Sequence, residues 1–502
     1  MNMKKLHYFF VMGALILSMA SCKKDNGSSP VLISGITMGA ATATVSINGT
    51  QQLTATYSPA NATNTTLIWS SSNTAVATVS STGLVTGVAP GTAVITVSDQ
   101  SKTKTAICTI TVTSEFNHNL SGYIKGTLMQ DSTYYLTDNV TINKGDTLTI
   151  KPGVKVKANG NFSFNVSGDF ICVGTEAKPI LLTTSFASPV VGFGYWGGIQ
   201  ADSAALNIVI KYTHINWTGG PAADLSTQAC IDVEGTQAAD YHANIVIEDN
   251  WFFASVDDGI HLAGQIHASI KRNVLQHMGG PDGETMNIKK GVTGDIAYNY
   301  IWCAANNGIK LNTGSALPET AMNIFNNTII NGGWRKVGEF TNGILIDANA
   351  VANIYNNILV GNYHGINITN KADYSNCMEG NNLVYALDDT LAQYLFPGQI
   401  TAAASDITGA SLSLCNSVFS AYDPSIDITD PVTSDLNVPS LASNSPAKNA
   451  GTTTLTGSSK VPGYFSPNIT GASNDVLNKD MGAYPTDGSG NKHMPSSEIG
   501  MK

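Results

Sequence analysis

Charge is what this 502-residue chain has least of: Asp, Glu, Lys and Arg together make up 12% of it, about half the quarter usual in soluble proteins. The 26 basic side chains against 36 acidic ones leave a formal net charge of -10, and no basic stretch follows Lys24. Binding a phosphate backbone needs clustered Lys and Arg, so nucleic acid is excluded as a partner. No run approaches the roughly 20 consecutive apolar residues of a membrane-spanning helix, and no apolar heptad persists. The cysteines form no CxxC pair, which removes zinc-ribbon and dithiol chemistry. Cys108, Cys172 and Cys230 sit in apolar runs such as Ile107-Cys108-Thr109-Ile110, where small buried hydrophobes are expected rather than disulfides.

Ser, Thr, Asn and Gly fill the space that charge leaves, a mixture suited to strands and tight turns. Hydrophobic content of 42% suffices for a core. At the N-terminus Lys4 and Lys5 precede an apolar run from Phe9 to Ala20, too short to span a bilayer and of signal-peptide length. The run ends at Met19-Ala20-Ser21-Cys22, which resembles the lipobox of bacterial lipoproteins, with Met19 in place of the usual Leu. The resemblance implies removal of residues 1–21, lipidation of Cys22 and membrane attachment through that anchor, with residues 22–31 as a flexible tether. The expected location is the outer membrane, facing either the cell surface or the periplasm.

Residues 32–113 read as an all-β module of short strand-like runs between turns. Ile68-Trp69-Ser70-Ser71-Ser72-Asn73, Val76-Ala77-Thr78-Val79, Gly83-Leu84-Val85-Thr86-Gly87-Val88 and Pro90-Gly91-Thr92-Ala93-Val94-Ile95-Thr96-Val97 follow one another. Together they resemble the group 2 bacterial immunoglobulin-like domain of intimin- and invasin-type surface proteins, which implies a β-sandwich with Trp69 and the alternating Val and Leu in its core. The module has no His and no titratable cluster, so a spacer or adhesive role is expected.

From residue 114 to 490 the pattern is a repeat. Asn250, Asn273, Asn299, Asn327 and Asn357 each stand three residues after an isoleucine, and Asn382 continues the series three residues after Glu379, at intervals of 23 to 30. Gly259-Ile260-His261-Leu262, Gly308-Ile309-Lys310-Leu311, Gly343-Ile344-Leu345-Ile346 and Gly365-Ile366-Asn367-Ile368 recur in the same phase, and Thr285-Met286-Asn287-Ile288 fills the same slot. Such short strands cannot bury their apolar sides alone, but stacked coils can. The recurring Asn fits an internal amide ladder. These features resemble the pectin-lyase-like superfamily and imply a right-handed parallel β-helix, all-β like the module before it. Length alone allows up to about fifteen coils. Residues 491–502 read as a tail.

Stacking places side chains in rows. Period two puts His261, Asn287, Lys310, Leu345 and Asn367 on the outer surface, with Asp258, Glu284, Asn307, Asn342 and His364 three residues before them. Three chemistries fit this row. Asp257-Asp258-Gly259-Ile260-His261 resembles the paired aspartates of polygalacturonases, which work as general acid and base, although the Gly-His-Gly and Arg-x-Lys of that family are missing. Glu284-Thr285-Met286-Asn287-Ile288-Lys289 resembles the lysine-bearing coil of alginate lyases and chondroitinase B, with Asn312 standing where those enzymes have Arg and Lys310 two residues away. Asp257, Asp258, Asp282 and Glu284 could together hold Ca²⁺. The catalytic candidates are therefore Asp258, His261, Glu284, Lys289 and Lys310. For ligand contact they are Asn287, Trp251, Trp334 and Arg335, the aromatics suiting the apolar faces of sugars. The expected function is binding of a polysaccharide or surface glycan, with cleavage in the catalytic form of that reading. A non-catalytic adhesin or rigid scaffold is the alternative.

Overall fold

A computed structural model describes residues 29–493 except 48, 114–117, 223–225, 239–241, 281–282, 316–317, 334–340 and 423–437. The chain divides into two compact units, Met1–Glu115 and Phe116–Lys502.

The first unit is a sandwich. Thr42–Ser46, Thr105–Thr113, Gly91–Asp99 and Leu67–Ser71 form one sheet, and Thr50–Gln52, Leu84–Gly87 and Ala77–Val79 another. Alternate apolar side chains from both, including Val45, Val85, Ile95, Cys108 and Ile110, close the core. Trp69 packs against that core and stays partly exposed rather than filling it.

The second unit is a parallel β-helix of three strands per coil. In one central coil these are Trp251–Ser255, Ile260–Ala263 and Ile266–Lys271, called here the first, second and third sheets. Each strand pairs in parallel with its counterpart one coil on: Trp251 with Val274, His261 with Asn287, Ala268 with Gly294. Among the described residues the third sheet holds ten strands. That is about two-thirds of the coil number length alone allows. The shortfall has a physical cause, since the described residues after Ala410 add no further coil and those from Val461 to His493 lie back along the outside.

The corner from the third sheet to the first explains why these sequences coil. The residue before each ladder position from Thr213 to Asn382 has a left-handed backbone, with φ of 49° at Tyr212, 60° at Asp249, 51° at Arg272 and 57° at Tyr298. That conformation costs a non-glycine residue roughly 1–2 kcal/mol, and the next residue offsets it. The Asn273 amide nitrogen donates to Asn299 Oδ1 at 2.9 Å and to the Ile247 carbonyl at 2.8 Å, while its backbone N–H also reaches Asn299 Oδ1 at 3.0 Å. Asn299, Asn327 and Asn357 repeat the pattern, each on the next rung. At the early end Thr213 takes the slot, and at the late end Asp406 does, its Oδ1 accepting from the Asn382 N–H at 2.7 Å.

Inside, Ile, Leu, Val and Phe from all three sheets form one continuous core. Outside, the C-terminal segment covers two of the three faces. Val461 and Gly463 carbonyls accept from Asn353 and Asn323 of the third sheet, and Ser473 bonds Glu248. Asn478 and Asp480 then lie at Asn326, and Asn491 and His493 at Asn273 and Asp249. Met481, Ala483 and Tyr484 pack on the aromatic outer surface of the first sheet with Trp217, Trp251, Tyr300 and Trp302. The described cysteines are all free thiols, and burial pushes those of Cys172 and Cys230 up to about 12.

Candidate functional site

The face that the C-terminal segment leaves open in the central coils belongs to the second sheet. Its strands bear one registered outward row: Asn165, Gln200, Asp232, His261, Asn287, Lys310, Leu345 and Asn367, each opposite the next. Parallel strands hold these side chains about 4.8 Å apart. A second row two residues on runs from Glu234 through Ala263, Lys289 and Asn312 to Asp347. Most of the first row is half-buried, so the backbone is covered while polar tips still meet solvent.

Hydrogen bonds tie the rows to the residues just before each strand. Asp258 Oδ1 accepts from the Glu284 N–H at 2.6 Å and Oδ2 from the Asn287 amide at 2.7 Å. Burial is the main force raising the Asp258 carboxyl above the usual carboxylate range. Glu284 Oε2 accepts from the Asn307 N–H at 2.8 Å and from its amide at 2.9 Å, and Oε1 holds the Lys310 ammonium at 2.7 Å. His261 Nδ1 lies 2.6 Å from Asp232 Oδ1 and 3.8 Å from Glu234 Oε1. A carboxylate only accepts, so Nδ1 carries the hydrogen in this contact. The other ring nitrogen is buried without a hydrogen-bond partner.

Glu284 and Lys310 therefore meet, Asp258 and Asn287 meet, and His261 joins a different pair of acids. Asp257 turns away: its Oδ2 accepts from the Thr227 hydroxyl at 2.7 Å and its Oδ1 from the Asp258 N–H at 2.8 Å. Asp257 and Asp258 thus diverge instead of facing each other as an acid–base pair. Each described member of the calcium quartet, Asp257, Asp258 and Glu284, already spends its oxygens on protein donors. Lys289 points outward between Ala263 and Asn312 with no ion pair among the described residues. The sugar platform expected at Trp251 is corrected. Its side chain leaves the strand outward, but it is only 9% exposed, sandwiched between His214, with parallel rings 4.4 Å apart, and His493 at the same distance. A return of the chain 240 residues later covers it, which alternation along one strand does not reveal. Cys22, Asp282, Trp334 and Arg335 lie outside the described residues.

Asp232 and Glu234 are the acids that sequence reasoning missed. Ile231-Asp232-Val233-Glu234 alternates like its neighbours and stands 29 residues before His261. The repeat conceals it because Cys230 occupies the glycine slot and Thr213, not Asn, the ladder slot of that coil.

Two family models match the chain. Residues 33–110 match the bacterial Ig-like domain (group 2) and residues 122–209 the pectate-lyase like beta helix domain. An Ig-like virion protein of Serratia phage KSP90 is 41% identical over 83 residues, 16% of this chain and 32% of that protein, so the chain spans about a third of its relative's length. The parallel coils, the sandwich and these matches agree: the chain carries a group 2 bacterial immunoglobulin-like domain followed by a pectate-lyase-like β-helix domain.

Proposed function

We propose that this is an exported, lipid-anchored protein that binds a polysaccharide along the outward face of the second β-helix sheet. One observation carries the reading. Eight successive rungs present outward side chains in register, all but Leu345 polar, on the face that the C-terminal segment leaves open. A linear ligand with a short chemical repeat fits a linear array of hydrogen-bonding groups with a short repeat. Amides, hydroxyl-accepting carboxylates and the Lys310 ammonium supply donors and acceptors of the kind that sugar hydroxyls need. The two domain types also occur among carbohydrate-related and surface proteins, and the lipobox-like Cys22 supports attachment to the outer membrane. The acidic balance of the whole chain, a formal net charge of -10, favours glycans that are not strongly anionic.

A glycan array probed with the unacylated chain tests this. Binding to an extended glycan is expected, weakened at least about tenfold by Asn287→Ala with Lys310→Ala. Absence of binding to every glycan would discard the reading. Released reducing ends or unsaturated products would add cleavage to binding. The scaffold reading draws support from the overlying C-terminal segment, which locks coils from Asp249 to Asn356, and it is the reading left standing by an array without signal.

A further inference from the structure

We infer that Asp232, Glu234 and His261 form a binding site for a divalent transition metal, zinc or a chemical neighbour, on the second sheet. The three residues come from two adjacent coils, Asp232 directly opposite His261 and Glu234 two residues further along the same strand. One ligand atom from each lies within 4.8 Å of the other two. Parallel pairing fixes the backbone beneath all three, so closing onto an ion needs side-chain rotation only. Residue 263, opposite Glu234, is alanine, whose methyl group offers that carboxylate no competing donor.

The donor set selects the ion. Calcium takes six to eight oxygens, whereas an imidazole with two carboxylates suits zinc, manganese or iron. Ligand distances near 2.0–2.2 Å put donor atoms roughly 3–3.5 Å apart. The 2.6 Å contact between His261 Nδ1 and Asp232 therefore opens slightly as the ion replaces the hydrogen between them. The neutral ring then carries its hydrogen on Nε2, and no proton is lost from the pair. Two carboxylates beside one imidazole neutralise a divalent charge. Among the described residues the competing cation is the half-exposed Lys290, 3.6 Å from Glu234. Three protein ligands leave coordination positions open toward solvent, since the Asp232 and Glu234 side chains are 27% and 48% exposed. The site lies on the face assigned to polysaccharide, but it stands on its own donors and does not require that reading.

Titration calorimetry of the chelator-treated full chain with Zn²⁺ alone tests the proposal, with Co²⁺ absorption reporting nitrogen ligation. One ion per chain is expected, with affinity falling at least tenfold in Asp232→Asn, in His261→Gln and in Glu234→Gln, and unchanged in Asp202→Asn, whose carboxylate accepts instead from the Ser167 hydroxyl. Glu234 is exposed enough that its variant keeps the fold, and a melting curve checks the other two. Absence of zinc binding, or zinc binding indifferent to Glu234→Gln and His261→Gln, overturns the site. Binding of Ca²⁺ in preference to zinc overturns it too. Glycan binding measured with and without zinc separates the two proposals, because a chelated chain that still binds glycan but never binds zinc refutes only this one.

Discussion

Asn327 shows how much one buried amide does in this fold. It donates to the Ile296 carbonyl and to Asn357 Oδ1, and its own Oδ1 accepts from both nitrogens of Asn299. Asn327→Ala leaves donors and acceptors on two neighbouring coils without partners, each costing about 1–3 kcal/mol. A loss of roughly 3 kcal/mol or more in urea unfolding is expected, against less than about 0.5 kcal/mol for the outward Asn165→Ala. Equal losses in the two variants would refute the ladder's role. His214 makes a pH prediction. Burial under Trp251 first, and His493 second, hold its imidazole down at about 4. The unfolded chain takes up a proton at about 6.5 and the folded one only near 4, so stability present above pH 6.5 falls as pH drops through that window. The full shift corresponds to about 3 kcal/mol. His214→Phe, which keeps the stack, is expected to flatten the acid limb of a plot of melting temperature against pH.

Among the elements, the C-terminal segment sets apart two faces of the β-helix from the third. Beneath it the third sheet holds a buried charge network. Lys271, fully buried, donates to the Ser473 carbonyl at 2.7 Å and lies near Asp295 and Asp475, while Arg272 binds Asp249 in two-pronged fashion. Breaking a buried pair leaves an uncompensated charge and costs several kcal/mol. A chain ending at residue 444 removes Ser473, Asp475 and the cover over Trp251 and Tyr300 at once. It is expected to lose native resistance to limited proteolysis in coils 243–360, and unchanged resistance would show that the segment only decorates the helix. The ladder's late end differs from its middle, because Glu379 stands beside Asp406. Burial first, and the neighbouring acid second, raise the Glu379 carboxyl above its ordinary range.

At the scale of the molecule, the sequence determined the coil. The recurrence of Asn before a three-residue strand and of Gly-Ile-x-Leu fixed which residues point inward, because a parallel stack rewards identical side chains at identical heights. His261, Asn287 and Lys310 fell in one row for that reason, and the immunoglobulin-like module was legible from its own strand rhythm. Contacts between distant segments were decided only by the tertiary structure. Trp251 needed His493 to bury it, the coil number needed a segment that folds back instead of coiling, and Asp232 with Glu234 reached His261 through a coil whose ladder slot carries Thr. Periodicity records what each residue does relative to its own strand. It carries no information about chain that returns from far along the sequence, and that return is what separates a covered face from the open one.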